Sequence, residues 1–155
     1  MSTQITRLKG QLTDAATGTR VNLRTGRGPR AIVVVHSADC AECRAYLERL
    51  AGASDSFREW DGRVNVVVNE DAVSASALRS GALAFLQVLA DPDAALGAEP
   101  AAVLLADEWG EVHFAVQAVM DHSLPGAQEI GEWMKFISIQ CPECEQPEGE
   151  WRDLS

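Results

Sequence analysis

The chain has 155 residues, 46% of them apolar, which suits one domain with one core and excludes a disordered polymer. Its formal net charge is −10, with 23 acidic residues against 13 basic ones, and the sequence pI is near 4.6. That balance argues against nucleic acid as a partner and against an anionic membrane surface, since both are gripped by lysine and arginine.

No apolar run approaches the about 20 residues that a membrane helix requires. The opening MSTQITRLKGQLTD carries no apolar block, so no secretory signal is expected and the cytoplasm is the expected compartment. Thiols stay reduced there, so four cysteines point to catalysis or metal more than to structural disulfides.

DAATGTRVNL places Thr17-Gly18 between two short extended segments, which predicts a hairpin. GRGPR, ending at Arg30, is a loop leading into the core. AIVVVH (31–36) is a β-branched run suited to a strand buried on both faces. AECRAYLERLAGA (41–53) reads as helix, with Cys43, Leu47 and Leu50 on one apolar face and Ser37 and Asp39 offering capping oxygens before it. RVNVVVNE (63–70) is a second buried strand. DAVSASALRSGALAF predicts a helix through about Ser80, stopped at Gly81. FLQVLADPD gives a third short strand and a turn. AAVLLADEWGEVHFAV is a hairpin around DEWG, and SLPGAQEIGEWMKFISIQ a last helix, with Pro125 near its start and Ile130, Met134, Phe136 and Ile137 on one side. The order predicts an α/β domain over residues 1–140, a mixed sheet covered by helices with an N-terminal β-hairpin. The remainder, 141–155, is a polar tail expected to be irregular.

Two pairs of cysteines share one spacing: Cys40 with Cys43, and Cys141 with Cys144. The first falls where a strand hands over to a helix. Backbone N–H groups and the helix dipole there favour a thiolate at Cys40. Cys43, one turn on, is near enough to close a disulfide, so that one thiolate attacks a partner disulfide and the second releases it. The bland alternative is a pair of buried cysteines on an apolar helix face.

The early DAATGTRVNL hairpin, VVVHSADCAEC, LADPDAALGAEP and VLLADEWGEVHF together resemble the thioredoxin superfamily. The similarity is greatest to its redoxin branch, which includes peroxiredoxins and thiol–disulfide reductases. The resemblance spans roughly Leu12 to Phe136. It implies a thioredoxin-like three-layer fold with Cys40 attacking and Cys43 resolving. It also implies that Pro100 is a cis-proline packed beside the pair. Three departures stand out. Ala41-Glu42 replaces the Gly-Pro of thioredoxins, and a carboxylate beside the thiols is expected to raise the Cys40 pKa and make the pair more reducing. Val33, Val34 and Val35 occupy the strand where thioredoxins bury an aspartate, leaving His36 and Asp39 as the nearest proton-transfer groups. Peroxiredoxins carry a proline seven residues, and a threonine or serine three residues, before the peroxidatic cysteine. Ser37 meets the second requirement for Cys40, and Val33 fails the first. Disulfide exchange therefore ranks above peroxide reduction.

The CPEC pair, Cys141 and Cys144, reads as a second redox pair relaying electrons, as half of a zinc site, or as idle thiols. Zinc would need further ligands from Cys40 and Cys43, from His113 or His122, or from the tail of a second copy in a homodimer. Trp133 and Trp151 flank the pair and offer to pin the tail. Arg44 is placed to offset Glu42 or simply to be solvated, and Asp91 and Asp93 flank Pro92 in what reads as a turn. The expected function is a cytoplasmic thiol–disulfide oxidoreductase acting on a protein or small-thiol partner, with no cofactor required. The competing expectation is a thioredoxin-fold binding or adaptor module whose CPEC tail organises zinc or a partner.

Overall fold

The computed structural model of the protein describes residue 8 and residues 11–23, 28–83, 86–118 and 124–139. Strands β1 (Gln11–Asp14) and β2 (Arg20–Asn22) form the N-terminal hairpin, turning at Gly18 with φ +78°. β3 (Arg30–Val35) leads into helix α1 (Ala41–Gly52), followed by the short helix α2 (Ser54–Arg58) and β4 (Arg63–Val68). Helix α3 (Ala72–Ser76), a 3-10 turn (Gly81–Leu83), β5 (Gln87–Ala90), the hairpin of β6 (Ala102–Ala106) and β7 (Val112–Gln117), and helix α4 (Ala127–Ser138) complete it.

Among the described residues the strands form one mixed sheet of order β2-β1-β5-β4-β3-β6-β7. β3, β4 and β5 run parallel in its centre, with β6 antiparallel on one side of β3 and β1 antiparallel beyond β5. This is the thioredoxin-like α/β architecture expected. The valine-rich strands take the centre because both of their faces are covered. Alternation along β3 sends Ala31, Val33 and Val35 to one face and Ile32 and Val34 to the other.

The first face carries the helices. Cys43, Tyr46, Leu47 and Leu50 of α1, Phe57 of α2, Ala75 of α3, and Ile130, Met134 and Ile137 of α4 all pack there. On the second face the described core residues come from strands, loops and turns, among them Leu8, Leu12, Leu23 and Leu96. Among the described residues, no helix is long and apolar enough to cross a membrane.

Four local expectations are corrected. Helix α3 ends at Ser76 rather than near Ser80. The Ser76 hydroxyl donates to the Val73 carbonyl, and the chain passes through tight turns to Gly81 at φ +58°. Helix α2 was not anticipated, because SDSFR offers a single apolar residue and so no period, yet Phe57 is only 2% exposed. Phe136 is 48% exposed rather than facing the core with Ile130 and Met134. Among the described residues the cis peptide bond is Pro100–Ala101, the bond after the proline instead of the one before it.

Gly28 fits the close approach of two loops. Its φ is +75°, and a β-carbon there would run into the backbone of Asp61 ahead of β4. Leu47 and Leu50, both at 0% exposure, seat α1 in the core. Leu47→Ala is expected to cost about 2–5 kcal/mol, read as a lower urea midpoint at unchanged slope.

Candidate active site

The site forms where β3 ends. Pairing with β4 runs to Val35↔Val68 and pairing with β6 to Val34↔Ala102, so β3 is held on both sides up to Val34 and on one side up to the residue before His36. The chain then turns through residues 37–39. The Cys40 amide donates to the Ser37 carbonyl at 3.3 Å, and the Ala38 amide donates to the Glu70 carboxylate at 3.3 Å. Glu70 lies just past the end of β4, so two adjacent strands fix the turn.

Helix α1 begins at Ala41, and Cys40 is its N-cap, with φ −71° and ψ 113°. The Cys40 Sγ accepts a hydrogen bond from the Cys43 amide at 3.3 Å. The cap is thus supplied by the cysteine itself and not by Ser37 or Asp39. The Ser37 hydroxyl accepts instead from the Asp39 amide, closing the turn locally. An N–H donor and the positive end of a 12-residue helix converge on one sulfur.

His36 contributes the third group. Its Nδ1 lies 3.5 Å from the Cys43 Sγ and 4.0 Å from the Cys40 Sγ. The nitrogen and both sulfurs lie within 4.8 Å of one another, and the two cysteines are present as thiols, without a disulfide. Exposure grades across the cluster: His36 is exposed, Cys40 half-buried, and Cys43 only 2% exposed. Burial pushes the Cys43 thiol up from 9.0 to about 12, with its His36 neighbour acting the other way and Cys40 and Glu42 adding to the rise. Cys43 is therefore a protonated thiol at neutral pH.

Arg44 reaches across to the segment after α3. Its guanidinium donates to the Leu78 carbonyl at 3.3 Å, the Ser80 carbonyl at 2.7 Å and the Ser80 hydroxyl at 2.6 Å. It ties the first turn of α1 to that segment, a role that nothing in the sequence signalled. Pro100 precedes β6 at the same end of the sheet as His36, since Ala102 pairs with Val34.

The other candidates lie elsewhere. His113 faces the Asp107 carboxylate at 3.0 Å, in the β6–β7 hairpin. The Asp91 carboxylate accepts the amides of Ala95 at 2.8 Å and Leu96 at 3.0 Å, so it closes a turn. Trp133 stacks on Phe114, ring centres 4.7 Å apart. Cys141, Cys144, His122 and Trp151, with the rest of the tail, lie outside the described residues.

No protein-family model matches the chain, and no curated protein sequence does. Solved structures do. The fold is similar to that of peroxidoxin BcpB from Mycobacterium tuberculosis, with a TM-score of 0.71 at 17% identity, over 88% of this chain and 98% of that one. It is similar to peroxiredoxin Q of Xanthomonas campestris, TM-score 0.68 at 15% identity, covering 86% of this chain and 95% of the other. AhpC of Enterococcus faecalis gives 0.71 at 15% identity, over 88% and 92%. The likeness establishes that the chain shares its α/β fold with these structures.

The Cys43 thiol is expected to resist alkylation at pH 9, where an ordinary cysteine is half ionised, and to label increasingly as pH rises toward about 12. Peptide mapping after pulses of iodoacetamide reads this directly. Labelling of Cys43 at pH 8 to the same extent as in the denatured chain would contradict it.

Proposed function

We propose that the protein is a thiol–disulfide oxidoreductase that works through Cys40 and Cys43. One observation carries the reading: a half-exposed sulfur caps helix α1 and accepts an N–H bond, while a buried, protonated thiol waits one turn further along, with an imidazole nitrogen at 3.5 Å. The two sulfurs differ in the way sequential attack requires.

In the first step the Cys40 thiolate attacks a partner's disulfide. A mixed disulfide forms between Cys40 and one partner sulfur, and the other partner sulfur leaves as a thiolate that takes a proton. The pair of the broken partner bond stays on the leaving sulfur, which is thereby reduced by one electron while Cys40 is oxidised by one. In the second step His36 Nδ1 accepts the proton of Cys43, whose thiolate attacks the Cys40 sulfur. The Cys40–Cys43 disulfide closes and the second partner sulfur leaves with the pair of the mixed-disulfide bond, reduced by one electron in turn and protonated by the imidazolium. The net change is two electrons and two protons from the dithiol to the partner disulfide. No cofactor is needed. The burial of Cys43 protects the mixed disulfide long enough for the partner to be committed, and the short reach between the sulfurs favours intramolecular release.

Peroxide reduction is less well supported, although the similar structures are peroxiredoxins. Val33, in the place of the peroxiredoxin proline, is in the middle of β3, paired on one side with Val66 and on the other with Val103. A residue lacking an N–H fits poorly at such a central position. The partner in this reading is a protein or small-molecule disulfide, and the compartment is a reducing one, the cytoplasm.

In an insulin-turbidity assay, wild type is expected to be active and Cys40→Ser to fall to background. Cys43→Ser is expected to accumulate a mixed disulfide with the substrate that mass spectrometry detects. His36→Ala is expected to slow release by about 10²-fold or more, the contribution typical of a positioned base. Full activity in Cys40→Ser refutes the proposal.

A further inference from the structure

We infer that the reduced site is also a metal site: His36 Nδ1, Cys40 Sγ and Cys43 Sγ form three ligands of a tetrahedral centre for a soft divalent cation, Zn²⁺ in the first place. The geometry is close to that of such a centre before any metal enters. Zinc–sulfur bonds of about 2.3 Å and zinc–nitrogen bonds of about 2.0–2.1 Å at tetrahedral angles set nitrogen–sulfur edges of about 3.6 Å and a sulfur–sulfur edge of about 3.8 Å. The nitrogen–sulfur separations here are 3.5 and 4.0 Å, with all three atoms within 4.8 Å of one another. The nitrogen–sulfur edges thus lie within about 0.4 Å of those of a bound zinc centre.

The chain holds the three positions in a fixed relation. His36 follows the last paired residue of β3, Cys40 caps α1 and Cys43 lies in its first turn. The Cys43 amide already donates to the Cys40 sulfur at 3.3 Å, a bond that strengthens as that sulfur takes on negative charge. Two thiolates and an imidazole select zinc-like cations over magnesium and calcium, which prefer oxygen. Three protein ligands leave a fourth position, and it lies on the solvent side because His36 is exposed while Cys43 forms the floor. A second grouping, Asp107, Glu111 and His113, differs in kind. There one Asp107 oxygen accepts the Trp109 and Glu111 amides at 2.9 and 3.0 Å, and the other faces the His113 Nε2 at 3.0 Å. That carboxylate already serves its own hairpin turn.

Metal binding transfers no electrons. Two thiols release two protons to solvent and two metal–sulfur bonds form. Oxidation reverses it: the two thiolates give two electrons to a disulfide oxidant, a sulfur–sulfur bond of about 2.05 Å replaces the 3.8 Å edge, and the cation leaves as Zn²⁺. The cation and the disulfide are thus alternative occupants of one pair of sulfurs. Capping by zinc would hold the dithiol out of exchange; that consequence rests on the proposed redox function, whereas the binding itself does not.

The test uses the full chain carrying Cys141→Ser and Cys144→Ser, so that the tail supplies no thiolate, reduced and kept without oxygen. Co²⁺ is titrated in, followed by Zn²⁺ competition. The expected result is one Co²⁺ per chain, with thiolate-to-cobalt charge-transfer absorption that Zn²⁺ abolishes and that the oxidised protein never develops. Adding His36→Ala, at an exposed position, is expected to weaken binding by more than the about 10–100-fold typical of losing an outer-sphere partner. Absence of the charge-transfer band, or His36→Ala binding as tightly as its parent, overturns the site. Insulin reduction by the same protein without metal separates the two ideas. Exchange without metal uptake sinks only this inference, and uptake without exchange sinks only the redox reading.

Discussion

The hydrogen bond from the Cys43 amide to the Cys40 sulfur is the interaction on which the proposed chemistry rests. It exists because β3 is paired on both sides to Val34 and with β4 through its last residue, and because the following turn is bound both to itself and to Glu70. The chain therefore enters α1 at a fixed point, and the residue at that point must supply its own cap. A serine or aspartate would do this with a hard oxygen. A cysteine does it with a polarisable atom that can also lose a proton and form a covalent bond.

Burial then divides the labour. Cys43 lies on the same helix face as Tyr46, Leu47 and Leu50, so the packing that seats α1 also withdraws the second thiol from water. Desolvation penalises a thiolate there, while the sulfur a single turn away is half-exposed and receives the amide hydrogen bond of the cap. Two chemically identical side chains are made unlike by their place on one helix. His36 bridges this gradient from the end of the neighbouring strand and so belongs to the same construction.

Much of this was legible in the residues. The AIVVVH and RVNVVVNE runs announced central strands, the 3.6-residue spacing of Cys43, Leu47 and Leu50 announced a helix face, and the join between strand and helix put the cysteines at its tip. Short-range turn chemistry was readable too, at Thr17-Gly18 and DEWG. What escaped depends on atoms distant in sequence. Helix α2 holds by one phenylalanine against the core, which no periodicity reveals. At the early end of α3 the Ser76 hydroxyl donates to the Val73 carbonyl. Phe136 faces outward because the arc of α4 that meets the core is narrower than the apolar arc of its sequence. Sulfur is a weak acceptor, so the oxygens of Ser37 and Asp39 look the better caps in sequence, yet the Cys40 sulfur takes the role.

The Arg44 clamp has a consequence for how the site tolerates change. Two of its three bonds go to main-chain carbonyls, at residues 78 and 80. Those acceptors are present whatever side chains the segment carries, so substitutions at either position leave them in place. The joint is indifferent to variation on one side and hangs on a single guanidinium on the other, which makes the arginine beside the thiols a concentrated point of mechanical failure for the whole first turn.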